Sequence, residues 1–233
     1  MRLDQFIATS SPLSRKEARR ATHAGGVEVN GEVWKDTGKH VPTGARVLLE
    51  GKQLTLQGER YLMLNKPAGV VSATRDSEHP TALDLLPAAL TELTRNLHIA
   101  GRLDADTTGL LLLTTDGQWS HRITSPRADR PKTYRVSLNT PISGPAIEAL
   151  KTGVMLHNDP KPTKPSQVKV LEQRLIELTI SEGRYHQVKR MLAAVGNHVE
   201  ALHRQSIGNI TLDPALKPGA YRELTDQEVA SAD

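Results

Sequence analysis

The chain contains no cysteine, which excludes disulfides and thiolate metal sites from its chemistry. That usage fits a reducing compartment, and the expected location is the cytoplasm. Aromatic residues are scarce: one Phe, two Trp and four Tyr in 233 residues. That is too few for a row of rings on which successive bases of a single strand could stack. No apolar run nears the ~20 residues a membrane helix needs, so no membrane partner is expected. The first residues, Met1-Arg2-Leu3-Asp4-Gln5-Phe6, carry an early acid and no long apolar stretch, which argues against a secretory signal. Nine histidines are present, yet none stands in His-Glu-x-x-His or pairs at helical spacing with a carboxylate in register, so no metal site is expected. Gly-rich phosphate loops and dinucleotide fingerprints are missing, as is the Gly-x-Ser-x-Gly elbow. NTP, NAD and serine-hydrolase chemistry therefore find no support. With no internal repeat, heptad pattern or long apolar seam, the chain is expected to be a monomer.

What is present is a folded composition with a basic bias. Apolar residues make up 37%, and 30 Lys and Arg stand against 26 Asp and Glu, a formal charge of +4. The distribution is more telling than the total. Residues 1–23 hold Arg2, Arg15, Lys16, Arg19 and Arg20 against Asp4 and Glu17. Residues 118–135 hold Arg122, Arg127, Arg130, Lys132 and Arg135 against Asp129. Two separated basic patches, with an acidic tail after Tyr221, predict a long polyanion that touches both.

Punctuation along the chain predicts two domains, 1–58 and 59–233. Ser14-Arg15-Lys16-Glu17 is a capping box, opening a helix that ends at Gly25-Gly26. Val27 to Val33 alternates around Asn30-Gly31, the strongest hairpin signal in the chain. A further strand is expected over 45–49. Gln57-Gly58-Glu59 reads as a linker. Beyond it, Tyr61–Leu64 predicts a strand broken at Asn65-Lys66-Pro67-Ala68-Gly69, with extended chain resuming at Val70-Val71-Ser72. Thr81 to Asp84 can cap a short helix. Helix is also expected over 119–123 and 187–195, and strand over 133–138 and 175–180. The spacings favour antiparallel pairing, and the predicted class is α+β.

The densest chemistry lies in Gly101-Arg102-Leu103-Asp104-Ala105-Asp106-Thr107-Thr108-Gly109-Leu110. The run Leu110–Leu113 reads as a short buried strand. Asp104 and Asp106 therefore lie on a loop tied to the core, where a rigid catalytic carboxylate belongs. A second segment, Glu182-Gly183-Arg184-Tyr185-His186-Gln187-Val188-Lys189-Arg190-Met191, is a turn feeding a helix. At about 100° per residue, Val188, Met191, Leu192 and Val195 form one apolar stripe. Arg190 points away from it, as a phosphate contact would. Lys189 falls on the flank, where its stem can be buried and its ammonium aimed into a cleft.

These segments carry a resemblance. Residues 1–55 resemble the S4 RNA-binding module through Arg2-Leu3-Asp4, Ser14-Arg15 and Val27-x-Val29-Asn30-Gly31. Gly101-Arg102-Leu103-Asp104-x-x-Thr107-x-Gly109-Leu110 resembles the central motif of the RNA pseudouridine synthases. Asn65-Lys66-Pro67-x-Gly69, Lys132-Thr133-Tyr134, Gly183 to Met191, and Leu202-x-Arg204-x-x-Ile207-Gly208 follow the same family's order and spacing. The wording of Thr115 to Arg127 is most similar to the branch that modifies small-subunit (16S) rRNA.

The resemblance implies an S4-like module followed by a mixed, mainly antiparallel catalytic sheet with a central cleft. It implies that Asp104, not Asp106, is the essential carboxylate, which leaves Asp106 as a loop-capping or supporting residue. By the same resemblance Lys189 is its basic partner, Tyr134 packs on the target base and Leu202 lies under it; Arg102, beside the carboxylate, is the expected grip on the flipped nucleotide's phosphate. RNA contacts are expected at Arg15, Lys16, Arg19, Arg20, Arg122 and Arg190. The implied substrate is one uridine of 16S rRNA, position 516 in the usual rRNA numbering, in free RNA or a small-subunit assembly intermediate. No cofactor and no metal are implied, since isomerising uridine changes neither redox state nor phosphorylation. Lys189 would hold Asp104 ionised. Attack at C1′, attack at C6 and removal of the 2′ proton all remain open routes. The competing readings are a synthase for large-subunit rRNA or tRNA, an RNA-binding assembly factor without activity, and a metal-dependent nuclease built on Asp104, Asp106 and histidines.

Overall fold

The capping box forms as the sequence requires. In the computed structural model, which describes residues 1–56, 58–88, 90 and 97–232, Ser14 accepts from the Glu17 amide and Glu17 accepts from the Ser14 amide at 2.7 Å. Helix α2 (Arg15–His23) starts there and stops before Gly25, whose φ of +84° reverses the chain. Helix α1 (Leu3–Ser10) precedes it. Strands β1 (Val27–Val29) and β2 (Glu32–Val33) meet through Asn30 and Gly31, both left-handed, as an Asn-Gly hairpin demands. Strands β3 (Val47–Leu49) and β4 (Lys52–Leu54) extend the sheet in the order β2-β1-β3-β4. The β4 strand was not expected, because its turn is Glu50-Gly51 and Glu is not a residue that signals positive φ. Leu3, Phe6, Ile7, Ala18, Val27, Val29 and Val47 form the core beneath these elements.

The chain divides into two units, Met1–Glu59 with Pro87–Leu97, and Arg60–Leu86 with His98–Asp233. Of the expected linker, Gln57 lies outside the described residues, and Gly58 and Glu59 have no regular structure.

The larger unit is built on a mixed sheet in the order β13-β5-β7-β11-β8-β10-β9. Its strands are β5 (Tyr61–Lys66), β6 (His98–Ala100), β7 (Thr108–Thr114), β8 (Lys132–Leu138), β9 (Gln167–Glu172), β10 (Leu175–Ile180), β11 (Val199–Ile207), β12 (Ile210–Thr211) and β13 (Tyr221–Glu223). Only the β7–β11 pairing is parallel among the described ladders. Strand β7 is central: β5 flanks one edge, while β11 and β6 share the other. Leu110 and Leu112 face a cluster with Met63, Trp119, Ile123 and Ile207. Leu111 and Leu113 are also fully buried. Burial of both faces explains why the run reads as continuous leucine rather than alternation.

Helices α3 (Gly117–Thr124), α4 (Gly144–Thr152), α5 (Gln187–Ala194) and α6 (Asp226–Ala230) complete this unit. The α3 start is set by Asp116, which accepts from the Gln118 and Trp119 amides at 2.8 and 3.0 Å. Thr81 and Asp84 cap a short 3-10 turn, Ala82–Leu85. Two expectations fail. Asn65 and Lys66 continue β5 instead of breaking it, because both pair with β7. Val70 to Ser72 form no strand; Val71 makes a single bridge to Thr81. Strand β11 was not expected as a whole, although its nine residues tie β7 to β8. Its interior, Ala-Leu-His-Arg-Gln-Ser, lacks a strand's composition, and the ladders on both sides supply what the local sequence does not.

Candidate active site

The loop between β6 and β7 is held at nearly every peptide. Gly101 turns it with φ of +84°. The Ser72 hydroxyl donates to the Leu103 carbonyl at 2.8 Å and accepts from the Leu103 amide at 3.0 Å. The Gly69 amide donates to the Ala105 carbonyl at 2.8 Å. The Lys66 ammonium donates to the carbonyls of Val70 at 2.6 Å, Pro67 at 2.9 Å and Ala105 at 3.1 Å. Arg204, 1% exposed, donates to the carbonyls of Gly101 at 2.7 Å, Leu110 at 2.9 Å and Arg102 at 3.4 Å. It thus grips the loop at both ends. Gly109 permits this approach: a Cβ there would fall 2.3 Å from the Arg204 carbonyl oxygen.

Asp104 stands at the middle of this anchored loop with its side chain 30% exposed. Two basic groups from the start of α5 face it: His186 Nε2 at 3.4 Å from Oδ1 and Lys189 Nζ at 3.3 Å from Oδ2. Lys189 also donates to both oxygens of Asp106, at 2.6 and 2.8 Å. Burial works to lower the Lys189 pKa, but its hydrogen bonds to Asp106 and Asp104 outweigh that and raise it above the usual lysine value. The Lys189 hydrogen bond likewise holds the Asp106 carboxyl below its ordinary range. Burial pulls the Lys66 ammonium down to about 8, against the raising influence of Asp106 and Asp104. Two buried cations, Lys66 and Arg204, therefore lie under a loop that carries two carboxylates.

Chemically, this is a partly shielded carboxylate with two basic neighbours and a rigid backbone. It suits nucleophilic attack or proton removal in a restricted pose. Among the described residues, no group of three or more His, Asp or Glu side chains is arranged to hold a metal ion. No helix is long and apolar enough to cross a membrane.

Residues 60–194 match the RNA pseudouridylate synthase family, and residues 1–47 match the S4 domain. The chain is 51% identical over 232 residues to the ribosomal small subunit pseudouridine synthase A of Escherichia coli strain K12, covering 99% of each. Its identity to the protein of that name from Vibrio cholerae is 48% over 231 residues, again 99% of each. The chain belongs to the RNA pseudouridine synthases. A crystal structure of a pseudouridylate synthase aligns over all of both chains with a TM-score of 0.72 and 44% identity. The α+β fold with an N-terminal S4 domain agrees with the sequence expectation.

In this synthase the other expected residues are distributed unevenly. Tyr134 on β8 and Leu202 on β11 are both buried. The ladder pairs Tyr134 with Arg204 and Val136 with Leu202, so Tyr134, Leu202 and Arg204 share one sheet face. Arg102 is exposed. The expected supporting role of Asp106 needs revision: it takes the shortest contacts of Lys189, and with 71% exposure it lies on the solvent side of the pair. Arg190 departs further from expectation. Its guanidinium is spent on the His157 and Tyr185 carbonyls and on Asp159, the last at 2.9 Å. A helix wheel gives direction, but it cannot see a loop that folds back over the outer face.

The basic patches are also partly internal. Asp4, fully buried, draws together Arg19 at 2.9 Å, Arg2 at 3.2 Å and Arg15 at 3.4 Å. Their side chains remain about half exposed, so three guanidiniums are arrayed around one carboxylate. Lys16 and Arg20 on the same helix are exposed. In the second patch, Arg130 binds the carbonyls of Arg122, Ser231 and Ala232, and Lys132 binds the Arg130 carbonyl. Arg122 is half-buried on α3, and Arg135 is exposed.

Sequence reading assigned no role to His186, Lys66, Arg204 or Ser72, although three of them lie in quoted motifs. His186 alone carried a local signal, since it directly precedes the helix that bears Lys189. It adopts φ of +46° and ψ of +39°, and such a left-handed non-glycine residue marks a functional position more often than chance.

Proposed function

We propose that this chain isomerises one uridine of small-subunit rRNA, position 516 by the usual numbering, to pseudouridine without a cofactor, with Asp104 as the nucleophile. The observation that supports this reading most is Asp104 itself: one carboxylate held between His186 and Lys189 on a loop clasped from both ends. The N1–C1′ bond breaks, the uracil turns, and C5 joins C1′ while the C5 proton leaves and N1 gains one. Asp104 would attack C1′ or C6, or take the 2′ proton. Tyr134 and Leu202 would receive the flipped base, and Arg102 its phosphate. Arg190 keeps the 157–159 loop against α5, which positions the helix that carries Lys189.

Arg15, Lys16, Arg19, Arg20 and Arg122 would contribute phosphate contacts, with Asp4 holding Arg15 and Arg19 together in position. Extruding a stacked uridine costs a few kcal/mol, and phosphate contacts of this kind offset it. The proposed domains are 1–58 for RNA binding and 59–233 for catalysis. With rRNA or a small-subunit assembly intermediate as partner, the chain acts in the cytoplasm as a monomer.

The test is tritium release from C5-labelled 16S transcript in the presence of EDTA. Wild type is expected to turn over fully. Asp104→Asn, folded by circular dichroism, is expected to release nothing. Asp106→Asn is expected to lose about tenfold, the worth of one hydrogen bond to a charged group. Normal turnover by Asp104→Asn would reverse the assignment. Modification of large-subunit rRNA or tRNA in place of 16S RNA would replace the substrate, and binding without release would leave an assembly factor.

A further inference from the structure

Tyr185 is the exception among the aromatic side chains. Phe6, Trp119 and Tyr134 are buried, Tyr61 packs edge-on against Trp119, Trp34 lies under the Lys39 ammonium, and Tyr221 is half-buried on β13. Tyr185 is 75% exposed. It is nonetheless ordered by a neighbour: its ring stacks on His186 with centroids 3.9 Å apart and planes 16° from parallel. The backbone beneath is locked. The Tyr185 carbonyl accepts from Arg190 at 3.2 Å. The Arg184 amide donates to the Gln187 side chain at 2.8 Å, and Gln187 donates to Glu182 at 2.8 Å. The left-handed turn at His186 opens α5, and the His186 ring lies between Asp104 on one side and the exposed Tyr185 ring on the other. A large ring is thus held rigid with one face covered and the other open to water.

His186 in turn touches Asp104, so the two-ring stack begins at the nucleophile and leads away from it. We infer that the open face of Tyr185 is a stacking seat for the RNA base that flanks the target uridine. The target itself must bring its reacting atoms within ~3–3.5 Å of Asp104. A base on the outer face of Tyr185 lies two ring layers beyond His186, which is the separation of a neighbouring nucleotide. The scarcity of aromatic residues is consistent: one ring serves one base, at the point where extrusion has broken the stack. This inference rests on the reading of the chain as acting on RNA and adds which feature of the strand it holds.

The experiment measures binding of a 16S rRNA fragment spanning the target uridine. Tyr185→Ala is expected to weaken Kd by about 5- to 150-fold, the worth of one stacked base. Tyr185→Phe and Tyr185→Trp are expected to restore it, because stacking needs a ring and not a hydroxyl. Removing the base at each flanking position in turn should reveal one site where wild type suffers the same loss and Tyr185→Ala loses nothing more. 2-Aminopurine at that site should be quenched on binding wild type and not on binding Tyr185→Ala. Unchanged Kd in Tyr185→Ala, failure of Tyr185→Phe to restore it, or losses that multiply at every flanking site would overturn the inference. Pseudouridine formation by wild type on the same fragment is the separate check: its absence overturns the functional reading, while the binding comparison still decides the seat.

Discussion

Arg204→Met removes the clasp on the Asp104 loop while keeping much of the side-chain volume. The guanidinium is 1% exposed and, among the described residues, forms no ion pair; its ligands are the carbonyls of Gly101, Leu110 and Arg102. Two of these are good hydrogen bonds from a charged donor, worth about 1.5–3 kcal/mol each, and the third at 3.4 Å is weak. The substitution also relieves a desolvated cation, which offsets part of the loss. The net expectation is about 3 kcal/mol of destabilisation. For a unit of this size that corresponds to a Tm lower by about 6–12 °C. Activity should suffer more than stability does, because a shift of about 1 Å in Asp104 can cost on the order of a hundredfold in rate. Arg204→Lys keeps the charge, but one compact ammonium cannot span from the Gly101 carbonyl to the Leu110 carbonyl as the forked guanidinium does, so it should recover part of the Tm and little of kcat. Gly109→Ala attacks the same junction from β7, with its Cβ driven into the Arg204 backbone, and should resemble Arg204→Met. The assays are thermal denaturation followed by circular dichroism and tritium release at saturating RNA. Arg204→Met melting within about 2 °C of wild type, with kcat within about threefold, would refute the role given to this clasp.

Two further expectations follow from the smaller unit. Asp4 is held at about 2, against an ordinary 3.8: burial opposes ionisation, but hydrogen bonds from Arg19 and Arg2 and the charge of Arg15 prevail. Its folded value is depressed, so its stabilisation is present above pH 3.8 and is lost as pH falls towards 2. With half-exposed partners it is about 1–2 kcal/mol, and Asp4→Asn should flatten the acid limb of a stability-against-pH curve between those values; an unchanged limb would count against it. Neutralising Lys16 and Arg20 together should lower the slope of log K against log salt by about 2 for the rRNA fragment, and an unaltered slope would remove α2 from the RNA interface.

Much of the local structure was legible because its causes are local. Ser14 and Glu17 are three residues apart, Asn30-Gly31 dictates its own turn, and Leu110–Leu113 declares a doubly buried strand. Asp104 was reachable by resemblance, and Lys189 by helical direction. The flank position of Lys189 survives in the structure, but its closest partner is Asp106. The basic patches misled in part, because a count of arginines does not distinguish one that faces solvent from one bound to Asp4, Asp159 or a carbonyl.

From residues alone came the two-part organisation of the expectation, the motifs that carry the family resemblance and, through it, Asp104 as the expected carboxylate, and the start of the helix that faces it. The organisation and the helix start rest on turn chemistry, capping and periodicity, all of which act over a few residues, whereas Asp104 rests on the resemblance of its motif. Folding brought Ser72, Lys66 and Arg204 to the loop across separations of 31, 39 and 103 residues. It also set the sharing of Lys189 between two carboxylates and the stacking of Tyr185 on His186. Such contacts depend on which strands pair and in which register. A buried cation whose ligands are backbone carbonyls leaves no mark in the residue types it touches.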